Sequence, residues 1–574
     1  MWQQGFVLAV LLGIVISLIA TRVKPSFIFA GAAFVAFLAG RIELGDVATN
    51  FTNSSLLTLV LLILASSALE KTRLVSWVSR SLSSGRLATV IAKLGLSTAL
   101  LSSFTNNTAV VVALIGAIKR NQTHAPSKLL IPLSYAAILG GTLTLIGTST
   151  NLIINSFVED AGLPSLGFFT PTAIGLVVLV AGLLILIPLS YFLPSNDQQQ
   201  EEELPYFLEA IVEPNSHLVG NSISDNKLRD LRKLFLAEVI RDGEVMPSVE
   251  PDFVLQANDR LLFCGDIESV TTLQEIQGLR LFGQHHLNGQ SLVEVVVSSS
   301  ASLCSKTLKS SEFRERFDAV VVAIRRGHER LRGGLGNIEL NAGDTLVLVP
   351  GKRFEQERQT QSKEFVLVNA LDSSARLDSR KSRIVLIGFI SVIVAALLGE
   401  LSLIKGLSLF LLASLFCGVV QLGELRRRFP IDIVVIVGSA LSIAQLMLSS
   451  GLSASLGNVF IETFNGWGAF GALVATYIFT LILTELVTNN AAAALAFPLG
   501  YSMALGYGVD PMPFIMAVLF GASASFVSPY GYQTNLLVYS LGQYKLADYV
   551  RVGLPVSLVY SLLVLALIPR FFPF

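Results

Sequence analysis

The sequence predicts a polytopic α-helical membrane protein: an inverted repeat with five spans plus one re-entrant hairpin in each half, and two small α+β cytoplasmic modules inserted between the halves. Three observations predict it. First, the 574 residues are 52% hydrophobic and 14% charged, with a mean hydropathy of +0.65, and their long apolar runs are separated by short polar loops. Second, two apolar runs carry Thr and Asn at their middles, TNNT at 105–108 and TNN at 488–490. Third, each is followed by another polar interruption at nearly the same distance: 44 positions separate Asn107 from Asn151, and 45 separate Asn490 from Asn535. Broken segments at matching places in two halves are the mark of a carrier built from structural repeats.

In chain order, candidate spans lie near 5–21, 25–40 and 54–70, followed by two apolar arms near 87–119 that hinge at the Asn pair. A span near 129–157, broken at 147–151, and one near 171–193 complete the first half. The second half repeats this with spans near 384–399, 402–420 and 430–448, a hinged pair near 467–506, a broken span near 512–541 and a last span near 552–572. The first apolar run lacks a basic leader and a small-residue cleavage site, so it reads as a retained span. A hairpin that returns to its side of entry leaves five crossings per half, and an odd count inverts the second half. The transmembrane repeats are thus 1–193 and 381–574.

Basic residues test this topology independently. With the N-terminus outside, the cytoplasmic loops receive Arg22, Lys24, Lys71, Arg73, Arg80, Arg86, Lys119, Arg120, Lys128, Lys381, Arg383, Arg426, Arg427, Arg428, Lys545 and Arg551. The external loops keep Arg41, Lys405 and Arg570. Both termini are therefore expected outside. Glu70, beside Lys71 at a span end, reads as a solvated interface residue.

The insert follows the acidic linker NDQQQEEE and turns to short β-type runs, FLEAIV, LFLAEVI and RLLFCG. It is duplicated. LRDLRKLFLAEVIRDGE at 228–244 resembles FRERFDAVVVAIRRGHE at 313–329, and Asp259 recurs as Asp344, 85 positions on. Two modules follow, 194–283 and 284–380.

Adjacent carboxamides in hydrocarbon would leave costly unpaired groups, so both tips should face a cavity or other protein. A helix broken in mid-membrane exposes N–H groups that attract anions and carbonyls that coordinate cations. Asn and Thr add donors and acceptors at modest desolvation cost. Neither tip contains Arg or Lys, so a bound anion calls for a co-bound cation. Glu485, one turn before the second tip where Ser102 precedes the first, is either a coupling carboxylate or a neutral, hydrogen-bonded structural acid. Cys264, Cys304 and Cys417 form no spaced pair. No nucleophile, base and orienting partner cluster together, which argues against an enzyme.

On these motifs the chain resembles the divalent anion/sodium symporter family, over 1–193 and 380–574. The family's Ser-Asn-Thr tips match Asn106, Asn107, Thr108 and Asn489, Asn490, Ala491; its Gly-Thr-Pro-Pro-Asn-like breaks match Gly147, Thr148, Ser149, Thr150, Asn151 and, more loosely, Gly531, Tyr532, Gln533, Thr534, Asn535. The resemblance implies one sodium at Ser102, Asn106, Asn107 and carbonyls near Gly147, and another at Glu485, Thr488, Asn490 and carbonyls near Gly531. It implies an anion between the tips, at Asn107, Thr108, Thr148, Asn490 and Gln533, with Asn106, Asn489 and Ala491 also at the tips. Ala491 replaces a threonine that receives a carboxylate in dicarboxylate-transporting relatives, and Gln533 replaces a proline. TNNAAA and GTSTNL look more like the sulfate-transporting branch, whose paired modules resemble the C-terminal regulatory domains of potassium-transport proteins.

The expected function is a secondary active transporter of the plasma membrane importing a divalent oxyanion, sulfate first, with sodium by alternating access. A sodium- or proton-coupled dicarboxylate carrier is the alternative. A channel or sensor gated by the modules is the competing class. The expected partners are the anion, sodium, membrane lipid, a second copy in a homodimer and a nucleotide-type ligand on the modules. No nucleic acid and no cofactor beyond the coupling ions are expected.

Overall fold

The computed structural model describes residues 2–72 except 22, 85–195 except 120 and 122, the greater part of 206–367 in segments, and 377–574 except 453, 454 and 456–466. Arg22, Arg73, Arg80 and Arg120 of the charge count lie outside the described residues.

The first half forms α1 (Trp2–Ala20), α2 (Pro25–Leu38), α3 (Leu44–Phe51), α4 (Ser54–Glu70), α5 (Leu87–Ser102), α6 (Asn107–Lys119), α7 (Ser127–Gly141), α8 (Ser149–Asp160) and α9 (Thr172–Leu189). Local chemistry sets several of these ends. Pro25 opens α2, where a missing N–H costs nothing, and the Asn53 side chain caps α4 by accepting from the Ser55 and Leu56 amides. Between the two expected spans the structure folds α3, whose eight residues carry too little apolar length to signal it in the sequence.

The second half forms α11 (Ser379–Leu397), α12 (Leu403–Phe416), α13 (Leu422–Arg428), α14 (Ile431–Ser449), α15 (Gly468–Leu486), α16 (Asn489–Tyr507), α17 (Met512–Ala522), α18 (Gln533–Leu541) and α19 (Leu546–Phe571); α10 belongs to the insert. Glu70 is not simply solvated: Arg428 of α13 ion-pairs with it, while Lys71 pairs with Glu424 at 2.6 Å. These four charges, far apart in sequence, lock α4 to α13.

Among the described residues, five helical stretches are long and apolar enough to cross a membrane: Leu44–Glu70, Thr172–Phe192, Ile431–Ser449, Gly468–Leu486 and Leu546–Phe571. Their outward faces are apolar. Leu176, Val180 and Leu184 of α9, and Leu554, Leu558 and Leu562 of α19, form exposed stripes at four-residue spacing. Exposed leucine along a whole helix face is stable against lipid rather than water. Inside, α5 and α7 pack backbone to backbone, because a side chain at Gly140 would overlap the Ala99 main chain.

Among the described residues, the insert holds two five-stranded antiparallel sheets. The first contains β1 (Tyr206–Val212), β2 (Leu234–Arg241), β3 (Glu244–Pro247), β4 (Arg260–Gly265) and β5 (Leu279–Leu281), in the order β3-β2-β4-β1-β5. The second contains β6 (Val293–Val297), the short helix α10 (Phe313–Phe317), β7 (Ala319–Arg326), β8 (Glu329–Arg330), β9 (Thr345–Pro350) and β10 (Phe365–Leu367); read from β8 its order is β8-β7-β9-β6-β10, the same pattern. Even the irregularities recur. The β2/β4 register shifts between Leu236 and Glu238, and the β7/β9 register between Val321 and Ala323, 85 residues later. Arg241 forks onto Asp259 at 2.8 and 2.7 Å, and Arg326 onto Asp344 at 2.8 and 2.9 Å. The repeated aspartates are thus buried acceptors that hold strand to strand.

Candidate functional site

The two breaks are built alike. Asn151 Nδ2 donates to the Gly141 carbonyl at 3.4 Å and the Thr144 carbonyl at 2.9 Å; Asn535 Nδ2 donates to the Ser525 carbonyl at 2.8 Å. Asn151 to Gly141 and Asn535 to Ser525 span the same ten residues. Each buried asparagine therefore ties the start of a half-helix back to the main chain at and just beyond the end of the preceding helix.

Each break also meets the other half's tip. Ser149 Oγ donates to Asn490 Oδ1 at 3.0 Å, and Asn489 Nδ2 donates to Thr150 Oγ1 at 2.9 Å. The Tyr532 hydroxyl lies 2.6 Å from the Asn107 carboxamide and 3.2 Å from Thr148 Oγ1. Thr148 and Tyr532 hold the same place in the two breaks, three residues before Asn151 and Asn535. Matching positions that touch one another lie where the two halves face each other. Asn106 and Thr488 are exposed, and Thr108, Asn489 and Asn490 are half-buried, so one side of each tip is left uncovered by protein.

Of the first expected cation set, Ser102, Asn107 and Gly147 come together. The inner end of the Asn107 carboxamide faces Ser102 Oγ, the Gly147 carbonyl at 3.1 Å and the Ala137 carbonyl at 3.3 Å. Ser102 Oγ also donates to the Ala137 carbonyl at 2.9 Å. Turned nitrogen-inward, the amide donates to these three oxygens; turned oxygen-inward, it adds a fourth oxygen to a set that suits a hard cation, in which Ala137 is a member the sequence does not signal, because only its main chain takes part. Gly141 makes room, since a methyl there would stand 2.8 Å from both end atoms of the Asn107 amide. Asn106 stays apart: its Oδ1 accepts from the Thr108 amide at 2.9 Å.

The second set is arranged differently. Glu485 is directed at the backbone between α17 and α18, where its oxygens accept from the amides of Phe526 and Val527 at 2.9 Å and Ser528 at 2.8 Å. Three N–H donors on one carboxylate fix the second break firmly. Thr488 is exposed, Asn490 accepts from Ser149, and Gly531 packs against the Thr484 carbonyl. Ala491 is fully buried, away from the open side of the tip. Gln533 is exposed, and its Nε2 lies 3.4 Å from Ser298 Oγ of the insert.

That last contact belongs to a docking surface. Along α18, Gln533 meets Ser298, Leu536 packs against Gly343, Tyr539 against Gly327, and Ser540 Oγ lies 2.7 Å from Thr345 Oγ1. Gln533, Leu536 and Ser540 share one helix face by their spacing, and the second module covers that face at Leu536 and Ser540 while Gln533 stays at its exposed rim. At the end of α6, Lys119 ion-pairs with Glu294 of β6 at 3.2 Å. The second module therefore grips both the arm leaving the first tip and the half-helix leaving the second break.

A family model described as Citrate transporter matches residues 5–521. The chain belongs to the citrate transporter family. This citrate transporter family member is 31% identical over 567 residues to a candidate sulfur deprivation response regulator of Chlamydomonas reinhardtii, covering 94% of this chain and 97% of that protein. It is 28% identical over 559 residues to an uncharacterized transporter of Synechocystis, covering 92% and 91%. It is 30% identical over 362 residues to sodium/sulfate cotransporter 1 of Chlamydomonas reinhardtii, covering 60% of this chain and 41% of that longer protein. Membership places the citrate transporter homologue among the anion carriers of the divalent anion/sodium symporter superfamily. It is a secondary transporter of a small anion, not an enzyme.

Proposed function

We propose that this chain imports a small multivalent anion together with sodium, holding the anion between the two tips and one sodium at Ser102, Asn107 and the Ala137 and Gly147 carbonyls. The observation that supports it most is the cluster formed by Ser102 Oγ and the Ala137 and Gly147 carbonyls around the inner end of the Asn107 carboxamide. With the amide oxygen turned inward, the one Ser102 hydroxyl proton cannot satisfy both Asn107 Oδ1 and the Ala137 carbonyl, and a cation among the oxygens would. Thr108, Thr148, Asn489 and Asn490 would supply hydroxyl and amide donors to the anion, and sodium the missing positive charge. A second sodium at Thr488, Asn490 and the Gly531 carbonyl would complete the pairing of the halves, with Glu485 acting as the anchor of the break rather than as a ligand.

For the substrate, the family match backs a carboxylate better than it backs sulfate, because its description is citrate and it spans residues 5–521. Sulfate is the second reading. It is favoured by the burial of Ala491, which offers no hydroxyl to a second carboxylate, and by relatives named for sulfate and sulfur deprivation. In this proposal the termini are outside, the modules are cytoplasmic and regulate the carrier through α18, and the carrier is a homodimer.

Uptake of labelled citrate, succinate and sulfate into proteoliposomes, with sodium and proton gradients imposed separately, tests the proposal. Sodium-driven accumulation of at least one of these anions is expected. Flux that ignores both gradients would overturn the carrier reading in favour of a channel.

A further inference from the structure

We infer that Tyr532 is a positioning residue that couples the cation to the anion: its single hydroxyl proton, shared between Asn107 and Thr148, decides which end of the Asn107 carboxamide faces the oxygen cluster. The inference rests on the cation site proposed above. Tyr532 begins the half-helix after the second break, yet its buried hydroxyl sits on the first tip and first break, 2.6 Å from the Asn107 amide and 3.2 Å from Thr148 Oγ1.

A phenol has one proton to donate and can accept in return, so the three groups have two consistent arrangements. In one, Tyr532 donates to Asn107 Oδ1, and Thr148 donates to Tyr532. The Asn107 amide nitrogen then points at Ser102 Oγ, the Ala137 carbonyl at 3.3 Å and the Gly147 carbonyl at 3.1 Å, which satisfies that cluster without an ion. Thr148 has spent its proton on the tyrosine and offers none to an anion.

In the other, Tyr532 donates to Thr148 and accepts from Asn107 Nδ2. Asn107 Oδ1 now joins the three oxygens, where the single Ser102 proton can serve it or the Ala137 carbonyl but not both, and a cation among them supplies what is missing. Thr148 receives Tyr532's proton, and its own hydroxyl proton is free to point at an anion. A cation thus selects the arrangement that arms Thr148, and an anion on Thr148 selects the arrangement that receives a cation. By linkage each must tighten the other's binding. The protons only reorient, and no covalent bond forms or breaks.

The test is a sodium titration of the full-length chain, reading the rise in unfolding temperature in sodium chloride against choline chloride, with and without sulfate or citrate. Wild type should show mutual enhancement of sodium and anion. Tyr532→Phe should raise the half-saturating sodium concentration about ten-fold and make it independent of the anion. Thr148→Val should abolish the same dependence, and the double variant should add little to either single one. If Tyr532→Phe lowers the ligand-free unfolding temperature but leaves mutual enhancement intact, the residue is merely structural and the inference falls. If Asn107→Ala still shows wild-type sodium stabilisation, the cation site itself is wrong, a separate failure from that of the relay. Should Tyr532→Phe not fold, Thr148→Val alone decides: retained anion dependence of the sodium midpoint overturns the relay.

Discussion

Lys119, the last residue of the arm that leaves the first tip, is ion-paired at 3.2 Å with Glu294 in the first strand of the second inserted sheet. Arg325 approaches the same carboxylate at 3.3 Å. Burial pushes the Glu294 carboxyl up, but the charges of Lys119 and Arg325 outweigh it and hold it below the ordinary carboxylate range. A group depressed in the folded state stabilises above its unfolded pKa, about 4.3 for Glu, and loses that contribution as pH falls through the folded value. Docking of the module should therefore be indifferent to pH around neutrality and loosen only in acid. Hydrogen exchange of the 293–297 amides across pH checks this, and loosening between pH 6 and 8 would count against it.

Lys119→Ala leaves Glu294 with Arg325 alone and should weaken docking by about 1–3 kcal/mol, as for a charged hydrogen bond left unmade. If the module restrains α18, uptake should speed up in this variant while the ranking of anions stays the same. A changed ranking would place the module in substrate recognition instead.

Glu485→Gln puts an amide where three main-chain N–H groups converge. One of its two end atoms must then meet donors with a donor. We expect a loss of about 1–3 kcal/mol in stability and a strong fall in uptake, with the sodium requirement of the residual activity unchanged. Uptake that keeps its rate but loses its sodium dependence would return Glu485 to the ion-coupling set.

Gly531→Ala tests the close approach of the second break to α15. The added methyl would overlap the Thr484 carbonyl, a main-chain atom that cannot swing aside. Expression with a markedly lowered unfolding temperature, or no folded protein, is the expected outcome. Near-wild-type stability would mean that the break and α15 are further apart than the structure places them.

The outline of this site was legible in the sequence because the membrane makes polarity conspicuous: Asn107, Asn490, Asn151 and Asn535 stand out in apolar runs, and each proves to be buried or tied across the halves. What escaped was of two kinds. Ala137 and the amides of Phe526, Val527 and Ser528 act through the main chain, so their side chains give no signal. Tyr532 and Ser149 lie inside the two breaks, but only the fold shows which tip each one reaches. In the insert, the 85-residue duplication was visible, whereas the grip on α18 was not: Ser298, Thr345 and Gly343 are ordinary residues until a helix is laid against them.

In the proposed mechanism Asn107 and Asn490 serve one site from two halves. The most direct measurement is sodium-driven uptake of labelled citrate, succinate and sulfate into proteoliposomes by the wild type, Asn107→Ala and Asn490→Ala, each shown to be folded by its unfolding temperature. The account predicts that both variants fold and that both lose uptake of whichever anion the wild type carries. Wild-type uptake by either folded variant would contradict it.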